Sequence, residues 1–353
     1  VVLELIAETT GSRESRQLVE WFGDFRAPLD EQIEAQWRVA GHPHETLCRE
    51  NKAVQLRVEQ CRKAMQQLLT SADAFDQARE ALKELSETDS HYRREEFLLF
   101  TRLEIHGLAR PGRILWAAHD EIRQWLRYLD LQFAEEGFCA DKLAGLADSV
   151  VGPLLDDIEW MIRLEERVLL PLAREALNET DWGVVWEHSP KIGWCLAEPG
   201  SDYAPPVSRD WEVPAGFPEL PLPTGMLALG TLALTHIELP VDLTFVDTDD
   251  RVRYFTEGSR PVFYRSEAIL GRDVRCCHPP RSVHYVDQIL SDFKSGEETS
   301  AQFWKHLGDR FIHIRFVALR DASGAYLGSL EIAQDITHLR ALEGHQVELR
   351  YDP

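Results

Sequence analysis

Two stretches of this chain repeat one another in residue types that bind metal. HYRREEFLLF, beginning at His91, and MIRLEERVLL, beginning at Met161, align His91 with Met161, Glu95 with Glu165 and Glu96 with Glu166. An imidazole and a carboxylate four residues apart share one face of a helix, so His91 and Glu95 can address a single centre. The repeat puts Glu165 on the matching face of another helix. WAAHDEIR sets His119 among apolar neighbours one turn to either side, and upstream His42, Thr46 and Glu50 are spaced by four. His44 opens HETL, a string like the HDEI at His119. Each of these residues taken singly is most simply a solvated or capping residue; it is the combination that points to metal. Carboxylates and imidazoles converging inside a helical bundle are the ligands of non-haem di-iron or di-manganese sites. The expected ligands are His42, His44, Glu50, His91, Glu95, His119 and Glu165, and the expected cofactor is a di-iron or other divalent metal pair. His106, before Gly107 at a helix end, reads instead as a C-cap residue favoured by the helix dipole.

The elements that must hold these residues are helices. Up to about Cys195 the sequence is rich in Ala, Leu, Glu, Arg and Gln, with apolar residues recurring at three and four. Long helices are predicted over 43–70, 72–105, 111–133 and 140–176, the second with a break near Thr88-Asp89-Ser90. Joined by short loops, they form a four-helix bundle. A shorter helical pair is expected around Ser15 to Val39, and a last helix near Asp181 to His188. Seven of the eighteen prolines then fall between Glu198 and Thr224, which marks an extended linker. Beyond it, LPVDLTFVD, RVRYF, AQFWKHL, RFIHIRFVALR and YLGSLEIAQDI are rich in β-branched and aromatic residues and separated by turn pairs, giving five strands. Two strands, a helical middle over 261–294 and three antiparallel strands make the layout of a PAS domain. ITHLRALEGHQVEL then reads as a short amphipathic helix. The domain boundaries so drawn are 1–40 for an N-terminal helical segment, 41–197 for the bundle, 198–225 for the linker and 226–345 for the PAS domain.

Composition narrows the function classes. The chain has 353 residues, 44% of them hydrophobic, and a formal charge of −22, so it has the material for sizeable cores and no basic run for nucleic acid or an anionic membrane. Six scattered cysteines without CxxC spacing indicate neither a zinc finger nor a disulfide framework and suit a reducing compartment. No stretch approaches eighteen apolar residues and the first residues lack a signal-peptide pattern, so a cytoplasmic location is expected.

The strings GHPHETLCREN, HYRREEFLLFTRLEIHG, RILWAAHDEIR, MIRLEERVLLPLA and KIGWCLAEP resemble bacterial proteins of domain-of-unknown-function family 438, which join a hemerythrin-type (HHE) cation-binding bundle to a C-terminal PAS domain. LPVDLTFVDTDDRVRYF, GRDVRCCHPPRSVHYVDQILSDFKSG, FWKHLGDRFIHIRF and GSLEIAQDITHLRALEG are similar to that family's PAS part. The resemblance implies a multidomain fold, an all-α hemerythrin-like four-helix bundle followed by an α+β PAS domain. It also implies that His91, Glu95, His119 and Glu165 occupy motif positions. Two positions depart from the pattern. Met161 stands where hemerythrins carry a histidine, and a thioether is a poor ligand for a hard iron site. Glu45 stands where the family often has another histidine. A carboxylate-rich pair, a single metal and a degraded site all fit this set; reversible oxygen carriage does not.

PAS domains bind ligands between their helices and their sheet, and some hold haem through a histidine on the long helix, where His284 is expected to lie. The bland alternative makes His278-Pro279 an ordinary turn and leaves His284 packed or solvated. A Cys277 thiolate ligand, a small organic ligand and an empty apolar core remain alternatives. Three functional readings follow. The first is a sensory protein answering to oxygen, nitric oxide or redox state, homodimeric through its PAS domain and passing its signal to another protein. The second is a di-metal oxidoreductase or peroxide-handling enzyme. The third is a metal-free interaction module.

Overall fold

The computed structural model describes residues 35–71, 73–205, 219–258 and 261–344. The helical pair expected around Ser15 to Val39 lies largely outside them; of it, a 3-10 turn at Ala35–Arg38 is described. The chain divides into two compact units, residues 1–209 with 276–282 and residues 210–275 with 283–353, the first mainly helical and the second built on a sheet.

The helical unit opens with α1 (Pro43–Gln67). Its start is fixed by Pro43 in the first turn and by His42, whose Nδ1 accepts from the His44 backbone N–H at 3.1 Å. Its buried stripe, Leu47, Val54, Val58, Cys61 and Ala64, keeps the three-and-four spacing. The next rod is assembled from α2 (Ala74–Glu84), a 3-10 turn (Leu85–Glu87), α3 (Thr88–Arg94), a π turn (Glu95–Leu99) and α4 (Phe100–Ile105). The expected break near Thr88 is thus a tightening of the helix just before it. The third rod is α5 (Ala109–Ala134). The fourth comprises α6 (Ala140–Gly145), a π turn (Ala147–Val151), α7 (Gly152–Leu164), a second repeat-related π turn (Glu165–Leu169) and α8 (Leu170–Ala176). A capping box between Asn178 and Asp181 starts α9 (Glu179–Ile192), which is longer than the helix read from the sequence. One core joins these rods, with Phe100, Leu103, Ile122, Leu154, Ile158 and Trp182 at most 1% exposed.

The second unit begins with a hairpin inside the expected linker: β1 (Glu219–Leu222) pairs with β2 (Gly225–Ala228), placing Pro221 opposite Met226. A two-stranded ribbon is all edge, which tolerates a proline. After α10 (Leu229–Glu238) come β3 (Asp242–Val246) and β4 (Val252–Phe255), then α11 (Val283–Ser295), β5 (Ser300–Leu307), β6 (Arg310–Arg320) and β7 (Tyr326–Asp335). The five strands form one antiparallel sheet in the order β4-β3-β7-β6-β5. Its inner face carries Ile312, Ile314 and Ala333, packed with Val262, Phe263 and Phe316. Gly328 (φ +140°) is required where β7 crosses β3, since a Cβ there would lie 2.2 Å from the Val246 carbonyl oxygen. Of the closing amphipathic stretch, α12 (Thr337–Arg340) is described; residues from 345 on lie outside the described set.

Candidate metal centre

The repeat read from the sequence reappears in the backbone: the π turns begin at Glu95 and at Glu165, the two aligned carboxylates. A π turn inserts a residue into the helical ladder and shifts the side chains around it, a device found often at functional sites. Here both turns bring a glutamate inward, Glu95 fully buried and Glu165 1% exposed.

His91, Glu95 and Glu165 present ligand atoms within 4.8 Å of one another, all buried. His91 Nε2 lies 3.2 Å from Glu165 Oε2 and 3.7 Å from Glu95 Oε1. From α5, His119 Nε2 lies 3.5 Å from Glu95 Oε2 and 4.0 Å from Glu165 Oε1. Two donors each about 2.0–2.2 Å from one ion stand roughly 3–4 Å apart, so these separations suit a shared cation. Both oxygens of Glu95, Glu165 Oε1 and His119 Nε2 are buried with no hydrogen-bond partner. Orphaned polar atoms converging on one point at zero exposure are costly unless something satisfies them, and a divalent metal does so for carboxylates and imidazoles alike. The residues fit the group.

The outward nitrogens of both imidazoles are held by carboxylates. His91 Nδ1 lies 2.7 Å from Glu50 Oε2, and His119 Nδ1 lies 2.9 Å from Glu96 Oε1. Carboxylates paired with guanidinium groups accept, so each Nδ1–H donates and each Nε2 turns inward. Glu50 is bound by Arg94 and by the Cys195 N–H at 2.9 Å. Glu96 takes two bonds from Arg123, at 2.8 and 2.9 Å, and Arg123 also reaches Asp89 at 2.7 Å. Tyr92 stacks on His119 with ring centroids 4.0 Å apart and nearly parallel planes.

Electrostatics follows this layout. Burial works against the charge on Glu50, but the hydrogen bond from His91 and the Arg94 guanidinium outweigh it and hold its carboxyl below the usual range. Burial and the neighbouring Glu165 charge push Glu95 well above that range. His91 would be lowered by burial, yet Glu165, Glu50 and Glu95 raise it to about 10. His119, buried and facing Arg123, is pushed well below its ordinary value. Without a cation the centre therefore holds protons where a metal would otherwise balance the carboxylates.

Of the residues singled out in the sequence, His91, Glu95 and Glu165 cluster together, His119 faces Glu95 and Glu165, and Glu50 stands behind His91. His42 and His44 sit elsewhere. Their rings pack with Trp37 and Trp182, His42 also meets Tyr203, and the His44 Nδ1 lies 3.9 Å from Cys48 Sγ. Burial lowers His42 to about 4 and, with Arg174 and His42 adding repulsion, His44 to about 3. His106 caps α4 and lies 2.9 Å from Asp181. His284 is exposed, with its ring 3.9 Å from Tyr285. Pro280–Ser282 forms a 3-10 turn and α11 starts only at Val283, so His284 lies in the first turn rather than mid-helix and does not line the interior. The sequence reading missed Arg94, Glu96 and Arg123 as holders of the histidines. Glu96 was visible only as the second member of a repeated Glu-Glu pair.

Residues 42–173 match the hemerythrin HHE cation binding domain, and residues 237–337 match a PAS domain. Among solved structures, the chain is similar to a C-terminal domain from Streptococcus mutans at 28% identity, covering 36% of this chain and 98% of that one, with a TM-score of 0.34. It is similar to the PAS domain of a Colwellia psychrerythraea protein at 18% identity, over 31% of this chain and 98% of that one, TM-score 0.26. It is also similar to a sensory box sensor histidine kinase from Vibrio cholerae at 18% identity, over 30% and 90% of the two chains, TM-score 0.24. No curated protein matches the chain. The first unit thus contains a hemerythrin HHE domain and the second a PAS domain. No helix among the described residues is long and apolar enough to cross a membrane.

Proposed function

We propose that this chain is a bacterial, cytoplasmic sensory protein of the kind grouped as domain-of-unknown-function family 438, in which a non-haem iron centre in the HHE bundle and the PAS domain answer to oxygen, nitric oxide or redox state. The observation that carries it is a set of four buried, unpartnered atoms: Glu95 Oε1, which faces His91 Nε2 at 3.7 Å, and Glu95 Oε2 and Glu165 Oε1, which face His119 Nε2 at 3.5 and 4.0 Å. His91, Glu95, His119 and Glu165 would hold the metal, and a bound iron would supply one-electron chemistry and affinity for small diatomic ligands. Glu50 and Glu96 keep both Nε2 atoms directed inward, Arg94 and Arg123 balance those carboxylates, and burial keeps bulk water out. The four ligating side chains are at most 2% exposed, which suits a gas or an electron better than an organic substrate and favours a sensor over an oxidoreductase. Protein purified without added metal is expected to contain iron by elemental analysis and to show no Soret band; the double variant His91→Ala/Glu95→Ala is expected to lose that metal. Unchanged metal content in the double variant rules the assignment out.

The same reading makes the PAS domain the dimerising part and a separate signalling protein the recipient. Leu339 and Leu342 are exposed on the closing segment, as a pairing stripe requires. Sedimentation of the full chain at high micromolar concentration is expected to report a dimer. A strict monomer contradicts it.

A further inference from the structure

Beyond α9, residues 193–203 run back over the bundle as a strap. Ser90 Oγ donates to the Trp194 carbonyl at 2.9 Å, and the Arg94 guanidinium sits 4.9 Å from the Trp194 ring centroid. The Cys195 N–H donates to Glu50 Oε1 at 2.9 Å, and the Leu196 N–H donates to Glu87 Oε2 at 3.3 Å. Arg49 donates to the Glu198 carbonyl at 3.0 Å, and the Asp202 and Tyr203 N–H groups donate to the Ala40 carbonyl at 2.8 and 3.1 Å. Gly200 meets Gly41 so closely that a Cβ on Gly41 would stand 2.2 Å from the Gly200 oxygen. Leu196 is held at φ +55°, a conformation that leucine adopts only when its surroundings impose it.

Taking the metal centre as assigned above, we propose that Glu50 is a positioning residue for His91 and that the strap completes the positioning, so the segment by which the chain leaves the bundle belongs to the outer shell of the metal. A carboxylate beside an imidazole aims the ring only if the carboxylate is itself fixed. Glu50 accepts from three directions: the His91 Nδ1–H, Arg94 and the Cys195 N–H. Two of those donors are outside the ligand set, and one of them is backbone of the strap. Arg94 is shared between Glu50 and the face of Trp194, which ties the side-chain anchor to the same strap residues. Displacing the strap therefore removes one of the donors that orient Glu50, and reorienting His91 changes the acceptor that the strap binds. The coupling is reciprocal. Along the chain the strap continues into the proline-rich stretch before the PAS domain, so a change at the metal has a covalent route outward that begins at Cys195.

The test uses the full chain, with and without Zn2+, in the wild type and in the variants Glu50→Ala and Glu50→Gln. Amide hydrogen exchange is read for residues 194–198, with a peptide around Leu129 as reference, and the His91 ring nitrogens are read by NMR in the metal-free protein. In metal-free Glu50→Ala the strap is expected to exchange at least about tenfold faster than in the wild type while the reference stays put. Zn2+ is expected to slow strap exchange in the wild type and not in this variant, with Zn2+ affinity falling about 10–100-fold. Glutamine keeps one acceptor oxygen and must abandon either His91 or Cys195, so Glu50→Gln is expected to change the ring-nitrogen signature or the strap exchange even where the alanine variant does not fold. Strap exchange and ring signature both indifferent to the substitutions overturn the proposal. A wild type that takes up no Zn2+ refutes the metal centre instead, and the metal-free comparison still decides whether Glu50 ties His91 to the strap.

Discussion

The two copies of the internal repeat share a π turn and a buried glutamate, and differ in everything that surrounds it. In the first copy His91, Arg94, Glu95 and Glu96 are all buried; in the second, Met161, Leu164 and Glu165 are buried while Glu166 is exposed. The first copy brings charge inward and must balance it with Arg94, Arg123 and Glu50. The second brings a single carboxylate inward among apolar side chains. The backbone symmetry therefore places the carboxylates, and side-chain asymmetry puts the imidazole on one side only. A duplicated helix can keep its geometry while only one copy keeps the polar shell that a metal site needs.

The comparison predicts its largest effect at the balancing charge of the first copy. Arg123→Met leaves Glu96 buried beside Asp89 with its guanidinium partner gone, and breaking one side of a buried pair costs about 3–5 kcal/mol. Glu166→Gln, the equivalent intrusion on the second copy, is expected to stay within about 0.5 kcal/mol. Urea unfolding of both variants measures the contrast. Equal costs would mean that the two copies are not energetically different.

A third buried region sharpens the point, because His42 and His44 show imidazoles set among aromatic rings. Burial lowers them to about 4 and about 3, so in the folded chain both are neutral at pH 7. Between pH 6.5 and about 4 the unfolded chain binds more protons at these rings than the folded one, hence their contribution is full above the unfolded value and is lost as pH falls through that window. The loss is on the order of 2–4 kcal/mol for the pair, reduced from the full shift because water relaxes part of the burial penalty. Urea midpoints at pH 7 and 4.5 should therefore separate more in the wild type than in His42→Phe/His44→Phe, with metal content the same in both. Identical pH dependence in the variant would show that these rings are not held neutral.

The spacing of four that joins His42, Thr46 and Glu50 correctly gives them one buried face, but it is silent on which point along that face each residue meets. Glu50 reaches His91; His42, two turns earlier, meets Trp182 and Tyr203. The pair His91 and Glu95 was legible because both residues lie within one turn, and Glu165 because the repeat copies its position. Arg123 was not, because its partners Glu96 and Asp89 come from another rod and no local pattern announces a contact between rods. The five strands of the sheet were legible from β-branched runs and turn pairs, but not their order across it, which depends on pairings between segments distant in the chain. His284 was misplaced because the position of the helix start depends on the Pro279-Pro280 step, which stops the helix from extending upstream.

The smallest effect is expected at Met161, which occupies the place of His91 in the second copy and is fully buried. Its sulfur lies one helical turn before Glu165, so position alone admits it as a ligand. Chemistry argues otherwise: a thioether is soft, whereas the carboxylate-rich set opposite it suits a harder ion. Its surroundings are those of a core side chain, since it belongs to the same apolar cluster as Ile158, Ile162 and Leu164. Met161→Leu conserves volume and removes the sulfur, so it should change stability by less than about 1.5 kcal/mol and leave metal content and affinity unaltered. Elemental analysis and a metal titration of the variant decide it. A tenfold or greater loss of affinity with the fold intact would make Met161 a ligand beside Glu165 and remove the asymmetry on which the comparison rests.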